Sequence, residues 1–294
     1  MIEQGGAPGV HSCRYAIGGN SVINTVHANS SLEEKYEFLK AYIRSLGSVA
    51  VTYSSGVDST FLLKVAHDEL GNQAIAITAK SCSFPVREYR EALDFCEKEN
   101  ILHYIAVTNE LEVDGFAENP KDRCYICKKA LFNKMIEVAR EHGAAWVLEG
   151  SNLDDDGDYR PGKKAIAELQ VLSPLHEACL YKSEIRELSR RLHLPTAEKP
   201  SYACLSSRFA YGERITKEKL EMVDKAEQFL MDHGFGQLRV RIHGKMARIE
   251  VEADQMEKLF MMRREVLSYL ESLGFLYVTM DLAGYQMGSM NKVL

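Results

Sequence analysis

The chain has 294 residues, 46% apolar and 27% charged, which suits one large or two ordinary soluble domains with a sizeable core. Its net charge of -6, from 42 acidic and 36 basic residues, excludes a general attraction to nucleic-acid backbones or anionic membranes. No stretch approaches the ~20 consecutive apolar residues of a membrane span, and seven irregularly spaced cysteines argue against a disulfide framework.

Residues 1–30 are rich in Gly, Ser and Asn, without periodicity or a secretory pattern, and read as a loose extension of a cytoplasmic protein. The stretch "SLEEKYEFLKAYIRSLG" opens with Ser31 and Glu34 at capping-box spacing and stops at Gly47, so a helix is expected. "SVAVTY" is a short apolar strand, followed by a helix from about Ser59 to Leu70. "QAIAITA", "LHYIAV" and "AAWVLEG" are further strands, separated by the helices "VREYREALDFCEKEN" and "YICKKALFNKMIEVAREHG". This alternation implies an α/β fold with a parallel sheet covered on both faces.

The acidic stretch "NLDDDGDYRPGKK" is expected to be a loop, and "KSEIRELSRRLHLP" a helix ended by Pro195. The rhythm then changes. A helix over 216–235, a hairpin of "QLRVRIHG" and "MARIEVEA", a single helix over 254–275 and a strand "LYVTMDL" suggest a smaller C-terminal α+β domain. Boundaries at 31–208 and 209–294 follow.

The first strand ends in Ser54-Ser55-Gly56-Val57-Asp58-Ser59. In an open parallel sheet this turn lies at the ligand-binding edge, and amides at the following helix start can hold an anion. Gly56 allows close backbone approach, and the serine hydroxyls add donors. Neither the Walker lysine nor the dinucleotide glycine pattern is present. The turn resembles the "SGGxDS" loop of the PP-loop ATP pyrophosphatases, with Ser55 in place of a glycine. That resemblance implies ATP binding by Ser54, Ser55, Gly56, Asp58 and Ser59, with cleavage between the α- and β-phosphates.

Five further stretches narrow the likeness: "NPKDRCYICKKALF", "DYRPGKKA", "KPSYACLSSRFAYGERIT", "QLRVRIHGKMARIEV" and "YVTMDLAGYQMGSMN". Together they resemble the LarE family of ATP-dependent sulfur transferases, with Gln286 where that pattern has arginine. The resemblance implies adenylation of the carboxylates of pyridinium-3,5-biscarboxylic acid mononucleotide by Mg²⁺-ATP, then conversion to thiocarboxylates. It also implies a homo-oligomer and, for one sulfur source, a donor protein.

Two sulfur sources stay open. Cys124, Cys127 and Cys204 supply three thiolates, one fewer than saturate a [4Fe-4S] cluster, which leaves an iron for an added sulfide. Alternatively Cys204 gives up its own sulfur. Zinc held by the same cysteines with a further ligand is another reading.

Cys13, Cys82, Cys96 and Cys179 are expected to be non-functional. For the substrate phosphate, Arg239 and Arg241 share one strand face, and Arg208 is a third candidate. Glu227 and Glu250 are expected divalent-cation ligands, with Asp281 and the acidic loop (Asp154, Asp155, Asp156, Asp158) further candidates and Arg160 a nucleotide-positioning one. A tRNA thiolase, an amide synthetase and a non-enzymatic nucleotide sensor are the alternatives.

Overall fold

A computed structural model describes residues 12–16, 23–156, 161–286 and 288–290. The chain divides into two compact units. The first comprises residues 1–80, 87–108 and 131–199, and the second residues 81–86, 109–130 and 200–294.

The first unit opens with two short strands, β1 (Ser12–Ala16) and β2 (Ile23–His27), paired antiparallel with Ser12 opposite His27. In α1 (Leu32–Leu46) the expected capping box is formed. Ser31 Oγ accepts from the Glu34 amide, and the Glu34 carboxylate accepts from the Ser31 amide. Then follow β3 (Val49–Thr52), α2 (Val57–Leu70), β4 (Ala74–Lys80), α3 (Val86–Lys98) and β5 (His103–Val107). After α4 (Arg123–Glu141), whose first turns belong to the second unit, come β6 (Trp146–Leu148), α5 (Gly162–Glu168), α6 (Pro174–Glu177) and α7 (Lys182–Arg191).

All strand pairs of the resulting four-stranded sheet are parallel, in the order β5-β4-β3-β6. Successive strand residues serve opposite faces, as the pleat requires. Val49, Val51, Ala74 and Ala76 join a core with Leu39, Phe61 and Leu188. Ala50, Ile75 and Ile77 instead pack with Phe132, Met135 and Val138 of α4. Both faces are therefore covered, which is why these strands read as unbroken apolar runs.

The second unit contains α8 (Lys217–Asp232), β7 (Leu238–His243), β8 (Met246–Val251), α9 (Met256–Met261), α10 (Arg263–Ser272) and β9 (Tyr277–Met280). Its sheet has the order β7-β8-β9, antiparallel in the hairpin and parallel between β8 and β9. The single helix expected over 254–275 is two helices. Met262, with ψ of 3°, interrupts the helical backbone between α9 and α10. Phe116, Leu220, Val240, Ile249 and Leu270 are central to this unit's core. No described helix is long and apolar enough to cross a membrane.

Candidate functional residues in each unit

In the first unit, β3 ends at Thr52, and Tyr53 and Ser54 carry the chain off the sheet toward α2. Three hydroxyls tie the turn to the helix. Ser59 Oγ accepts from the Ser54 amide at 3.2 Å and lies 3.1 Å from Ser54 Oγ. Thr60 Oγ1 donates to the Gly56 carbonyl at 2.8 Å. Gly56 is the N-cap of α2 and brings no side-chain oxygen to the first-turn amides. Those amides are the partial positive end of a 14-residue helix, suited to a phosphate.

Asp58 is held from two sides, by Asn152 Nδ2 on Oδ1 at 3.2 Å and by the Lys182 ammonium on Oδ2. Gly150 makes this approach possible. A Cβ there would come within 3.1 Å of Asp58 Cβ and 3.3 Å of the Ser59 amide nitrogen. Ser55 has a positive φ of 52°, and its hydroxyl donates to the Glu88 carbonyl at 3.0 Å or to Glu88 Oε2 at 2.9 Å. Lys199 bonds the Ser55 carbonyl at 3.0 Å and Glu88 Oε2 at 2.6 Å, and also reaches Glu91. The loop thus carries two ammonium groups, each neutralised by carboxylates.

The sequence contained no signal for Lys182, Lys199, Asn152 or Gly150, because they lie 91 to 144 residues from the loop residues they meet. The acidic stretch is also more ordered than expected. Asn152 caps a short helical turn over Leu153–Asp155, Asp155 is buried, and Asp154 accepts from the Lys182 amide. Asp156 pairs with Lys163 and His176. Asp158 and Arg160 lie outside the described residues.

The second unit gathers four cysteines. Cys124 and Cys127 lie one turn apart at the start of α4, so they share a face. The Arg123 guanidinium bonds the Ser206 carbonyl at 2.9 Å and donates to Cys124 Sγ at 3.6 Å. Cys127 packs against the apolar core. Its thiol is pushed strongly up by burial, and further by Cys204, Glu110 and Cys124. Cys204 and Cys124 are exposed.

The geometry lends the expected [4Fe-4S] centre no support. Among the described residues no group of three or more His, Cys, Asp or Glu side chains could hold a metal ion.

Glu227 and Glu250 are not arranged as cation ligands either. Glu227 is fully buried, and Arg208 grips both its oxygens at 2.8 Å while the Val240 amide donates to Oε1 at 2.9 Å. Burial raises its pKa, but the Arg208 pair and these hydrogen bonds outweigh it and leave the carboxyl lowered. Glu250 accepts from Arg241, Arg248 and Ser289. Asp281 pairs with Arg248.

The arginines divide into two kinds. Arg208 is wholly buried and, besides Glu227, bonds the carbonyls of Ala203 and Cys204 at 2.7 and 3.1 Å. It fixes the backbone that carries Cys204. Arg241 is paired with Glu250 and bonds the Ser207 carbonyl.

Arg239 is different. It is 4% exposed, with Tyr285 and Tyr202 rings 5.0 and 5.9 Å from its guanidinium and carbonyls of Leu238 and Ser201 as its hydrogen-bond partners. Among the described residues no carboxylate hydrogen-bonds it, and Glu227, gripped by Arg208, acts on it only through space. Burial, then Arg208, pushes its pKa down to about 10. A desolvated cation of this kind is suited to an anionic ligand.

No protein-family model matches the chain. It is 42% identical over 265 residues to an uncharacterized protein of Synechocystis sp., spanning 90% of this chain and 99% of the relative. It is also 35% identical over 266 residues to the pyridinium-3,5-bisthiocarboxylic acid mononucleotide synthase of Lactiplantibacillus plantarum, spanning 90% and 96%. The chain belongs to the LarE family. More distant similarity, 26% over 192 residues, joins it to a chain of the glutamine-hydrolyzing GMP synthase of Thermoplasma volcanium, over 60% of this protein and 61% of that one. This LarE-family chain is thus an ATP-using enzyme of the PP-loop superfamily, and the parallel sheet and loop of its first unit agree with that placement.

Proposed function

We propose that this LarE-family protein adenylates the carboxylates of pyridinium-3,5-biscarboxylic acid mononucleotide and converts them to thiocarboxylates. Ser54, Ser55, Gly56 and Ser59 hold the β- and γ-phosphates of Mg²⁺-ATP, with the amides at the start of α2 as donors, and Asp58 serves ATP binding by holding Lys182 at the loop. A substrate carboxylate oxygen attacks the α-phosphorus and pyrophosphate leaves. The carboxylate thereby gains AMP as a leaving group, which an attacking sulfur anion can displace.

Cys204 carries that sulfur, because its thiol is exposed while Arg208 clamps the backbone beneath it. The observation that carries the substrate reading is Arg239, a buried guanidinium between two tyrosines with no hydrogen-bonded carboxylate among the described residues. It receives the mononucleotide phosphate. Arg241 and Arg208 act behind it as positioning residues.

The test is incubation with ATP, Mg²⁺ and the biscarboxylated mononucleotide, following pyrophosphate, AMP and nucleotide mass. Mononucleotide-dependent pyrophosphate and a thiocarboxylate product are expected. Asp58→Ala loses both, and Cys204→Ser loses only the thiocarboxylate. Pyrophosphate release that ignores the mononucleotide, or a wild-type product without sulfur, would overturn the assignment.

A further inference from the structure

Cys82 belongs to the second unit and has no part in the reaction as described. Its thiol donates to Glu110 Oε2 at 3.8 Å, while Ser83 Oγ donates to Glu110 Oε1 at 2.8 Å. Glu110 is buried, so its carboxylate anchors residues 82 and 83. From the other side the Leu205 amide donates to the Ser83 carbonyl at 3.0 Å, which lays this segment along the step from Cys204 to Leu205. Cys82 and Cys204 thus each lie one residue from that backbone hydrogen bond. The Cys82 thiol is raised to about 11 by burial, then by Glu110, with a further push from Cys204. Neither is enclosed: Cys82 is half-buried and Cys204 exposed. A thiol carrying an S–S bond can be resolved by a second thiol of the same chain, which attacks its sulfur and releases the outer group.

We propose that Cys82 is a resolving thiol that lets Cys204 deliver a borrowed sulfur instead of its own. This rests on Cys204 being the sulfur-bearing residue of the reaction above. A persulfide donor first converts Cys204 to its persulfide. The terminal sulfur attacks the acyl-adenylate carbon, forming a C–S bond, and AMP leaves with the C–O electron pair. Cys82 then attacks the Cys204 sulfur of the resulting acyl disulfide, and its proton passes to the Glu110 carboxylate. The S–S bond to the substrate breaks, and the thiocarboxylate leaves with that electron pair. Each cysteine sulfur is oxidised by one electron into a Cys82–Cys204 disulfide, and the transferred sulfur is reduced by two. A dithiol reductant restores both thiols.

The full chain is loaded with inorganic polysulfide, mixed with ATP, Mg²⁺ and the mononucleotide without reductant, quenched with an alkylating agent and mapped by mass spectrometry. A disulfide joining the Cys82 and Cys204 peptides is expected, in step with one thiocarboxylate per chain. Adding a dithiol should raise product above one per chain. In Cys82→Ser, first-turnover pyrophosphate release should persist while an acyl disulfide accumulates on Cys204. If that variant fails to fold, the wild-type map still decides. Dehydroalanine at residue 204, or thiocarboxylate formed with both thiols free or Cys204 bound to iron, overturns the role of Cys82 but leaves sulfur transfer standing. No thiocarboxylate from the wild type overturns the underlying reaction instead.

Discussion

The Lys199 ammonium donates to the Ser55 carbonyl oxygen at 3.0 Å, and Ser55 itself adopts a positive φ of 52°. The loop therefore places a serine in a backbone region that favours glycine, and holds it there with Lys199 and Glu88. A left-handed residue costs roughly 1–2 kcal/mol, comparable to the net gain from one or two hydrogen bonds.

Replacing Ser55 with Gly relieves that strain and forfeits the hydroxyl bonds to Glu88, so stability should change by no more than about 1 kcal/mol. Ser55→Val, branched at Cβ, should cost about 2 kcal/mol or more. Thermal unfolding of both variants decides the point. A glycine variant less stable than the valine one would sink this account of the loop.

Lys182 is expected to exchange its Asp58 partner for nucleotide phosphate when ATP binds. Lys182→Met should weaken ATP binding about tenfold, equivalent to ~1.4 kcal/mol, with the unfolding midpoint little changed because the pair is partly exposed. Equilibrium titration with a non-hydrolysable ATP analogue measures it. Unaltered affinity would place Lys182 outside the nucleotide site.

Arg208 and Glu227 form a fully buried pair. Removing one member strands the other charge, so Glu227→Ala should lose about 3–5 kcal/mol in urea unfolding. Magnesium without ATP should leave the wild-type midpoint unmoved, since both Glu227 oxygens are taken. A magnesium-dependent rise that disappears in Glu227→Gln would restore the metal-ligand role.

His103 accepts or donates at Thr78 Oγ1, 2.8 Å away, and burial pushes its pKa down to about 4. Its folded value lies below the unfolded value of about 6.5. Between these the unfolded chain takes up a proton that the folded chain does not. Its contribution is full above pH 6.5 and is lost as pH falls toward 4. Linkage bounds the effect near 3 kcal/mol, and partial solvent exposure reduces it to about 1–2 kcal/mol. The fall in melting temperature from pH 7 to pH 5 should be smaller in His103→Gln, and an equal fall would refute the assignment.

Alkylation of the native protein should reach Cys124 and Cys204 first. Cys124 lies beside the Arg123 guanidinium, and both thiols are exposed. Cys96, pushed up to about 12 by burial, and the buried Cys179 should react only after unfolding. Peptide mapping over time tests the order, and early modification of Cys127 would contradict its burial.

The alternation of apolar runs with capped helices determined the parallel α/β fold, because periodicity and capping act over a few residues. The Ser54–Ser59 turn was legible for the same reason, since its position after β3 and its small residues are local properties. What the charged residues do was decided only by tertiary structure. Arg208 and Glu227 read separately as phosphate and metal ligands, yet they meet across 19 residues as one buried pair. Burial makes that pairing obligatory, because each charge loses water and needs the other. Likewise no local signal announced that Glu110 would hold Cys82 and Ser83, or that the Ser83 carbonyl would meet the Leu205 amide next to Cys204. The break at Met262 and the grip of Lys182 on Asp58 have the same origin. Local sequence specifies the elements, whereas desolvation and long-range packing determine which side chains remain available for chemistry.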